Sequence, residues 1–76
     1  MNQLVVGQRV AAVDEYECLR TGEVLFIDPD DQVVLIKVDD PNFEGHGGHG
    51  YTTAEVQEKA ESRAWWFPPE LIEPLH

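Results

Sequence analysis

The chain has 76 residues, with fifteen Asp and Glu against five Lys and Arg and a formal charge of -10. That balance excludes direct docking on nucleic-acid phosphates or on an anionic membrane surface, since both select clustered Lys and Arg. Apolar residues make up 42% of the chain, enough for a core and too many for disorder by composition, and the length suits one domain over residues 1–76. No apolar run approaches the roughly 18 residues of a membrane helix, and MNQLVVGQRV does not have the pattern of a signal peptide. Cys18 is the one cysteine, so no disulfide can form within the chain. The economical expectation is a cytoplasmic protein whose stability comes from its own core, a metal or a partner subunit.

In chain order, Gln8–Val13 alternates as a first strand after Gly7. Residues 14–21 are polar and irregular and read as a loop. Gly22 then opens a second strand, Glu23–Ile27, and Asp28-Pro29-Asp30-Asp31 is a tight turn in which Pro presets φ and Asp bonds back to the local backbone. Val33–Val38 returns as the third strand of a hairpin. Asn42 to Gly50 contains four of the six glycines and reads as a loop rather than a regular element. A short helix is expected from Thr53 to Ser62, with Thr52 as cap and Glu55 reaching back to it; Glu55 and Lys59 are an i,i+4 pair, and Val56 and Ala60 share its narrow apolar face. Arg63–Phe67 is strand-like in its aromatic content, Pro68-Pro69-Glu70-Leu71 suits a 3₁₀ turn, and Leu71–Leu75 closes as an edge strand that admits Pro74.

The expected fold is therefore all-β, a small barrel of about five strands with a short helical insertion between strands 3 and 4. This order, with Gly22-x-Val24, the Asp28-Pro29-Asp30-Asp31 turn, Val34 to Asp39 and Trp65-Trp66-x-Pro68-x-x-Leu71, resembles the SH3-like small barrels. The Gly-His loop before the aromatic strand is similar to Mind-bomb-type barrels and to short accessory proteins encoded by bacteriophages. The resemblance implies a peptide groove made by aromatic residues near this strand and Pro-rich turn, at Tyr16, Trp66 and Pro69, with Glu15 and Glu17 supplying charge. Such grooves accept polyproline II peptides carrying Arg or Lys. Packing of Trp66 beneath the helix is the competing reading.

The hairpin raises a problem of cover. By alternation Val24 and Phe26 face one side of the second strand and Leu25 and Ile27 the other, while Val34, Ile36 and Val38 oppose Val33, Leu35 and Lys37. A single core covers one side, so Leu25, Ile27 and Leu35 need the helix, a second copy of the chain or a partner protein above them, each buried side chain being worth roughly 1.5–3 kcal/mol. Asp28, Asp30, Asp31, Asp39, Asp40 and Glu44 are expected as an acidic docking surface at one end of the hairpin; such charge serves solubility or imitates nucleic-acid phosphates before a basic cleft.

His46 and His49, with Cys18, Asp39, Asp40, Glu44 or His76 near them, are weak candidates for a zinc site, weak because paired cysteines are missing; otherwise they ride on a flexible loop. Cys18 has no neighbouring base, and no nucleophile constellation is legible. The expectation is a non-enzymatic protein-interaction module with no cofactor and a capacity to form homo-oligomers, whose protein partner docks on the aromatic and apolar patch of Tyr16, Leu25, Ile27, Leu35, Trp66 and Pro69, rimmed by acid. The alternatives are an acidic decoy that inhibits a nucleic-acid enzyme, and a metal-binding barrel.

Overall fold

The computed structural model describes residues 4–30, 32–48 and 50–75; Asp31 of the acidic patch, and His49 and His76 of the metal reading, lie outside the described residues. The elements are β1 (Arg9–Val13), β2 (Leu19–Asp28), β3 (Val33–Val38), β4 (Gly45–His46), α1 (Ala54–Ala60), β5 (Arg63–Phe67), a 3₁₀ turn (Pro69–Leu71) and β6 (Ile72–Pro74). They build one six-stranded sheet in the order β4-β5-β3-β2-β1-β6, antiparallel except for the β4–β5 pair. The chain is mostly β with one short helix, as expected. The sheet does not close on itself, and a two-residue strand inside the glycine-rich segment raises the strand count to six. Among the described residues, no helix is long and apolar enough to cross a membrane.

β2 begins at Leu19, so the loop after β1 is shorter than the polarity of Arg20 and Thr21 suggests. Leu19, Arg20 and Thr21 pair with Val13, Ala12 and Ala11, because backbone pairing is indifferent to side-chain polarity on a solvated face. Gly22 lies within β2 rather than at its entrance, paired with Val10 on one side and Val38 on the other. A Cβ there would fall 2.1 Å from the Lys37 carbonyl oxygen, so the close crossing of the three strands requires glycine at this position.

One irregularity reorganises the hairpin. Val24 pairs with Ile36 and Phe26 with Leu35, which leaves Leu25 as an extra residue in a β-bulge. The bulge breaks the alternation expected for β2. Val24 and Ile27 now face one side and Leu25 and Phe26 the other. The first side packs Val10, Ala12, Val24, Val34, Ile36, Val38, Phe67 and Ile72 into the main core, with Ile27 half-buried against it. The second joins Leu25, Leu35, Ala60 and Ala64, flanked by Phe26, Val56 and Trp66. The chain thus has two apolar clusters, one on each face of the same hairpin.

The second cluster is covered from within the chain, by α1 and by the glycine-rich segment. Thr53, rather than Thr52, caps α1 by accepting from the Val56 N–H. Thr52 instead donates to the Gly48 carbonyl at 2.9 Å, and the Gln57 amide donates to Thr52 Oγ1 at 2.7 Å and to the Gly47 carbonyl at 3.3 Å. The Gly45 and Gly47 amides donate to the Ser62 and Ala64 carbonyls at 2.8 and 2.9 Å. A Cβ on Gly47 would lie 2.8 Å from Trp65 Cα and 2.9 Å from Leu35 Cδ1. The glycines expected to give loop freedom serve close approach at this place.

Two substitutions test the seal by urea unfolding. Leu35→Ala should cost about 2–5 kcal/mol, the range for an aliphatic side chain removed from a closed core. Gly47→Ala should cost about 1–3 kcal/mol by overpacking, whereas Gly50→Ala, which meets open space at φ +83°, should cost only about 1 kcal/mol of backbone strain.

Candidate interaction groove

The bulge and the seal decide where the expected docking residues sit. Leu25 and Leu35 are 6% and 0% exposed, so neither forms a docking surface. Ile27 faces the main core, on the side opposite to them, because the bulge has reversed its parity. Trp66 is half-buried on the helix side, edge-on to Phe26 with ring centroids 6.2 Å apart. Pro69 is exposed beside a hollow formed with Ile27, Pro29 and Val33, and Tyr16 does not line that hollow. The trio Tyr16, Trp66 and Pro69 is therefore not brought together.

Tyr16 lines a cavity with Trp65 instead. Trp65 shares the face of Phe67, two residues back along β5 and opposite Ile36, yet is 43% exposed. It stands between two cavities. One, of about 240 Å³, is lined by Tyr16, Phe43 and Trp65 with Asp14, Glu15, Glu44 and Arg20. The other, of about 260 Å³, runs from Asp14 and Glu15 past Trp65 and Trp66 to Val13, Pro68 and Leu71. A third hollow continues from Val13 and Leu71 to Leu19, between Glu70 and Glu73. Tyr16 (78% exposed), Trp65 and Leu71 (43%) are the apolar heights of one track bordered by carboxylates.

The loop that presents Tyr16 is held by a single side chain. Asp14 accepts from the Tyr16 and Cys18 amides, each at 2.9 Å, and from Arg20 Nε at 3.0 Å; its own amide donates to the Cys18 carbonyl at 3.0 Å. This closed ring of bonds turns the chain within five residues, with Glu17 at φ 62°. The Cys18 amide above all, then Arg20 and the Tyr16 amide, hold the Asp14 carboxyl below the usual carboxylate range, against its partial desolvation. Arg20 continues to Asp40 at 3.5 Å and lies 5.3 Å from the centre of the Phe43 ring. Asp14, Arg20 and Phe43 thus tie the loop to the segment after β3.

The acidic docking surface does not form at one end of the hairpin. Asp28 ends β2 and Asp30 lies in the turn after it, while Asp39 and Asp40 follow the far end of β3. Asp39 is forked by Arg9 and accepts from the Thr21 hydroxyl at 3.0 Å, and its carboxyl is lowered chiefly by the Arg9 bond. Asp40 pairs with Arg20, and Glu44 borders the Trp65 cavity. Among the described residues no three His, Cys, Asp or Glu side chains converge as a metal site would need; His46 is exposed on β4. Cys18 is exposed with its thiol 3.8 Å from the Tyr16 carbonyl.

No family model, no curated protein and no solved structure matches this chain.

Asp14 supplies a pH test. Its folded pKa is lowered, so its contribution to stability is complete above the unfolded value near 4 and disappears as pH falls through the folded value. Acidification also relieves self-repulsion in a chain of charge -10, so the quantity to follow is the Tm difference between the parent and Asp14→Asn. That difference should be largest at pH 5–7 and shrink steadily towards pH 2; a difference constant with pH would mean that the carboxylate charge contributes nothing.

Proposed function

We propose that this chain is a non-enzymatic protein-interaction module of the SH3-like small-barrel type, and that it grips an extended basic segment of a partner protein along the Tyr16–Trp65–Leu71 track. The fold half of this reading is supported by the strand order β5-β3-β2-β1-β6 with a 3₁₀ turn immediately before the last strand. β4 and α1 are then an insertion that covers the second face of the hairpin.

The observation that carries the functional half is Trp65 standing half-exposed between two cavities with Glu15 at the edge of both. Cavities of about 240 and 260 Å³ fall below the roughly 300–1,000 Å³ of small-molecule pockets and match single side chains separated by a ridge. An exposed Trp flanked by a Tyr is the residue type that dominates binding energy at interfaces. Of the residues lining the three hollows only Arg20 is cationic, and it is paired with Asp14 and Asp40. Glu15, Glu44, Glu70 and Glu73 leave the track negative, which favours a basic segment and speeds its encounter. The phosphate-decoy alternative draws on the same overall charge but has less behind it, because Asp39 and Asp40 spend theirs on Arg9 and Arg20.

The test uses a ten-residue peptide of alternating Pro and Arg and a Pro-Glu counterpart, added to the ¹⁵N-labelled protein. The Pro-Arg peptide should move the Tyr16, Trp65 and Leu71 resonances and the Pro-Glu peptide should not. Trp65→Ala should weaken binding about tenfold or more, as loss of an interface hot spot does. Shifts confined to Tyr51 and Trp66, which line a separate hollow with Asp28 and Val33, or undiminished binding by Trp65→Ala, would refute the assignment.

A further inference from the structure

We propose that the cavity between Tyr16, Phe43 and Trp65 is a seat for an alkylated ammonium group, such as the head of a methylated lysine side chain. The proposal deepens the groove reading and rests on it for the peptide that would carry the group. Three aromatic side chains line this one cavity of about 240 Å³. They make no ring–ring contact with each other; among the described residues Phe26 and Trp66 form the one such pair. The Phe43 ring is engaged by the Arg20 guanidinium and packs against the main core, while the Tyr16 and Trp65 rings stack on no other ring among the described residues. The negative face of an aromatic ring attracts a cation, and the gain grows as the cation is desolvated.

The same cavity already shows the preference. The Arg20 guanidinium sits 5.3 Å from the centre of the Phe43 ring, held from behind by Asp14 at 3.0 Å and Asp40 at 3.5 Å. Arg20 is therefore neutralised where it stands and leaves Tyr16 and Trp65 without a cation. Three carboxylates, Asp14, Glu15 and Glu44, line the cavity against that one guanidinium. Asp14 is committed to the loop, whereas Glu15 and Glu44 make no ion pair among the described residues. A compact ammonium is strongly hydrated, and of this cavity's lining only the carboxylates at its border can replace that water, since the three rings offer no acceptor. An alkylated one sheds water at less cost, presents methyl groups to the rings and keeps the charge that Glu15 and Glu44 attract. Those two requirements, apolar contact and positive charge in one small group, single out the alkylated form over plain lysine or a neutral aliphatic side chain.

The experiment has two arms. In the first, tetramethylammonium chloride is titrated against sodium chloride at equal ionic strength while the Tyr16, Phe43 and Trp65 resonances are followed; saturable shifts with tetramethylammonium alone are expected. In the second, the Pro-rich basic peptide carries lysine, trimethyllysine or norleucine at its centre. Trimethyllysine should bind about two- to fivefold more tightly than norleucine, the margin expected of a cation over aromatic faces at a partly exposed site, and more tightly than lysine, which carries the same charge without the methyl groups. Phe43→Leu should abolish that preference while the peptide still binds through Trp65 and Leu71. Tyr16→Ala, a change in an exposed loop ring that leaves the core untouched, should reduce it in the same way. Affinity for trimethyllysine no greater than for norleucine, or no greater than for lysine, with all peptides still binding, would overturn the ammonium seat and leave the groove standing. Saturable tetramethylammonium shifts with no peptide binding would overturn the groove and keep the seat as a small-molecule site.

Discussion

A single inserted residue governs the arrangement of this protein. At Leu25 the register of β2 against β3 slips, and the slip turns Leu25 and Phe26 together towards one face while Val24 and Ile27 hold the other. A hairpin of regular alternation would place Leu25 with Ile27. With the bulge, both faces become usable as cores in a chain of 76 residues, provided that something inside the chain covers the second face. The cover is seven helical residues and a glycine-rich segment locked to them through Thr52 and Gln57. A helix of that length does not hold alone in water; it is fixed by Val56 and Ala60 packing on Leu25 and Leu35. Helix and second cluster depend on each other.

That self-cover removes Leu25 and Leu35 from the surface and leaves the proposed groove elsewhere. Exposed Tyr16, Trp65 and Leu71 lie along the cavities where the β1–β2 loop, β5 and the 3₁₀ turn meet. Tyr16, Trp65 and Leu71 belong to three different elements, and Asp14 fixes the first of these by taking both backbone and Arg20 hydrogen bonds. Charge then shapes what the surface accepts. Cations are few and each is engaged: Arg9 with Asp39, Arg20 with Asp14 and Asp40, Lys37 and Arg63 with Glu61, and Lys59 with Glu55. The carboxylates left over give the track its sign.

Much of the fold is legible from residue order. The hairpin, the 3₁₀ turn after Pro68, the apolar stripe of β3 and the Val56–Ala60 face of the helix follow from alternation, proline chemistry and i,i+4 spacing. The start of β2 is not legible, because Arg20 and Thr21 look like loop and yet pair with β1. Nor is the bulge: no residue at positions 24–26 announces an insertion, and only the partner strand reveals it. The glycines of residues 45–48 combine two roles that composition cannot separate, turning and close packing.

The candidate groove was half legible. Tyr16 and the neighbouring acid are recognisable, and the opposite parity of Trp65 and Trp66 is plain. Parity alone cannot say which Trp projects beyond the end of the core. Trp65 shares its side with Phe67, a fully buried residue, and sits two pairs along β5 opposite buried Ile36, yet it is 43% exposed, which the alternation of β5 does not reveal. Phe43 and Glu44 join it through the path of the chain after β3, which has no sequence signature.

The account rests on the second apolar face being closed by the same chain that creates it. An isotope-filtered NOE experiment on a mixture of labelled and unlabelled protein measures this directly. Methyl contacts of Leu25 and Leu35 should all be intramolecular, to Val56, Ala60 and Ala64. Intermolecular NOEs on those methyls would show that a second copy supplies the cover, and would contradict it.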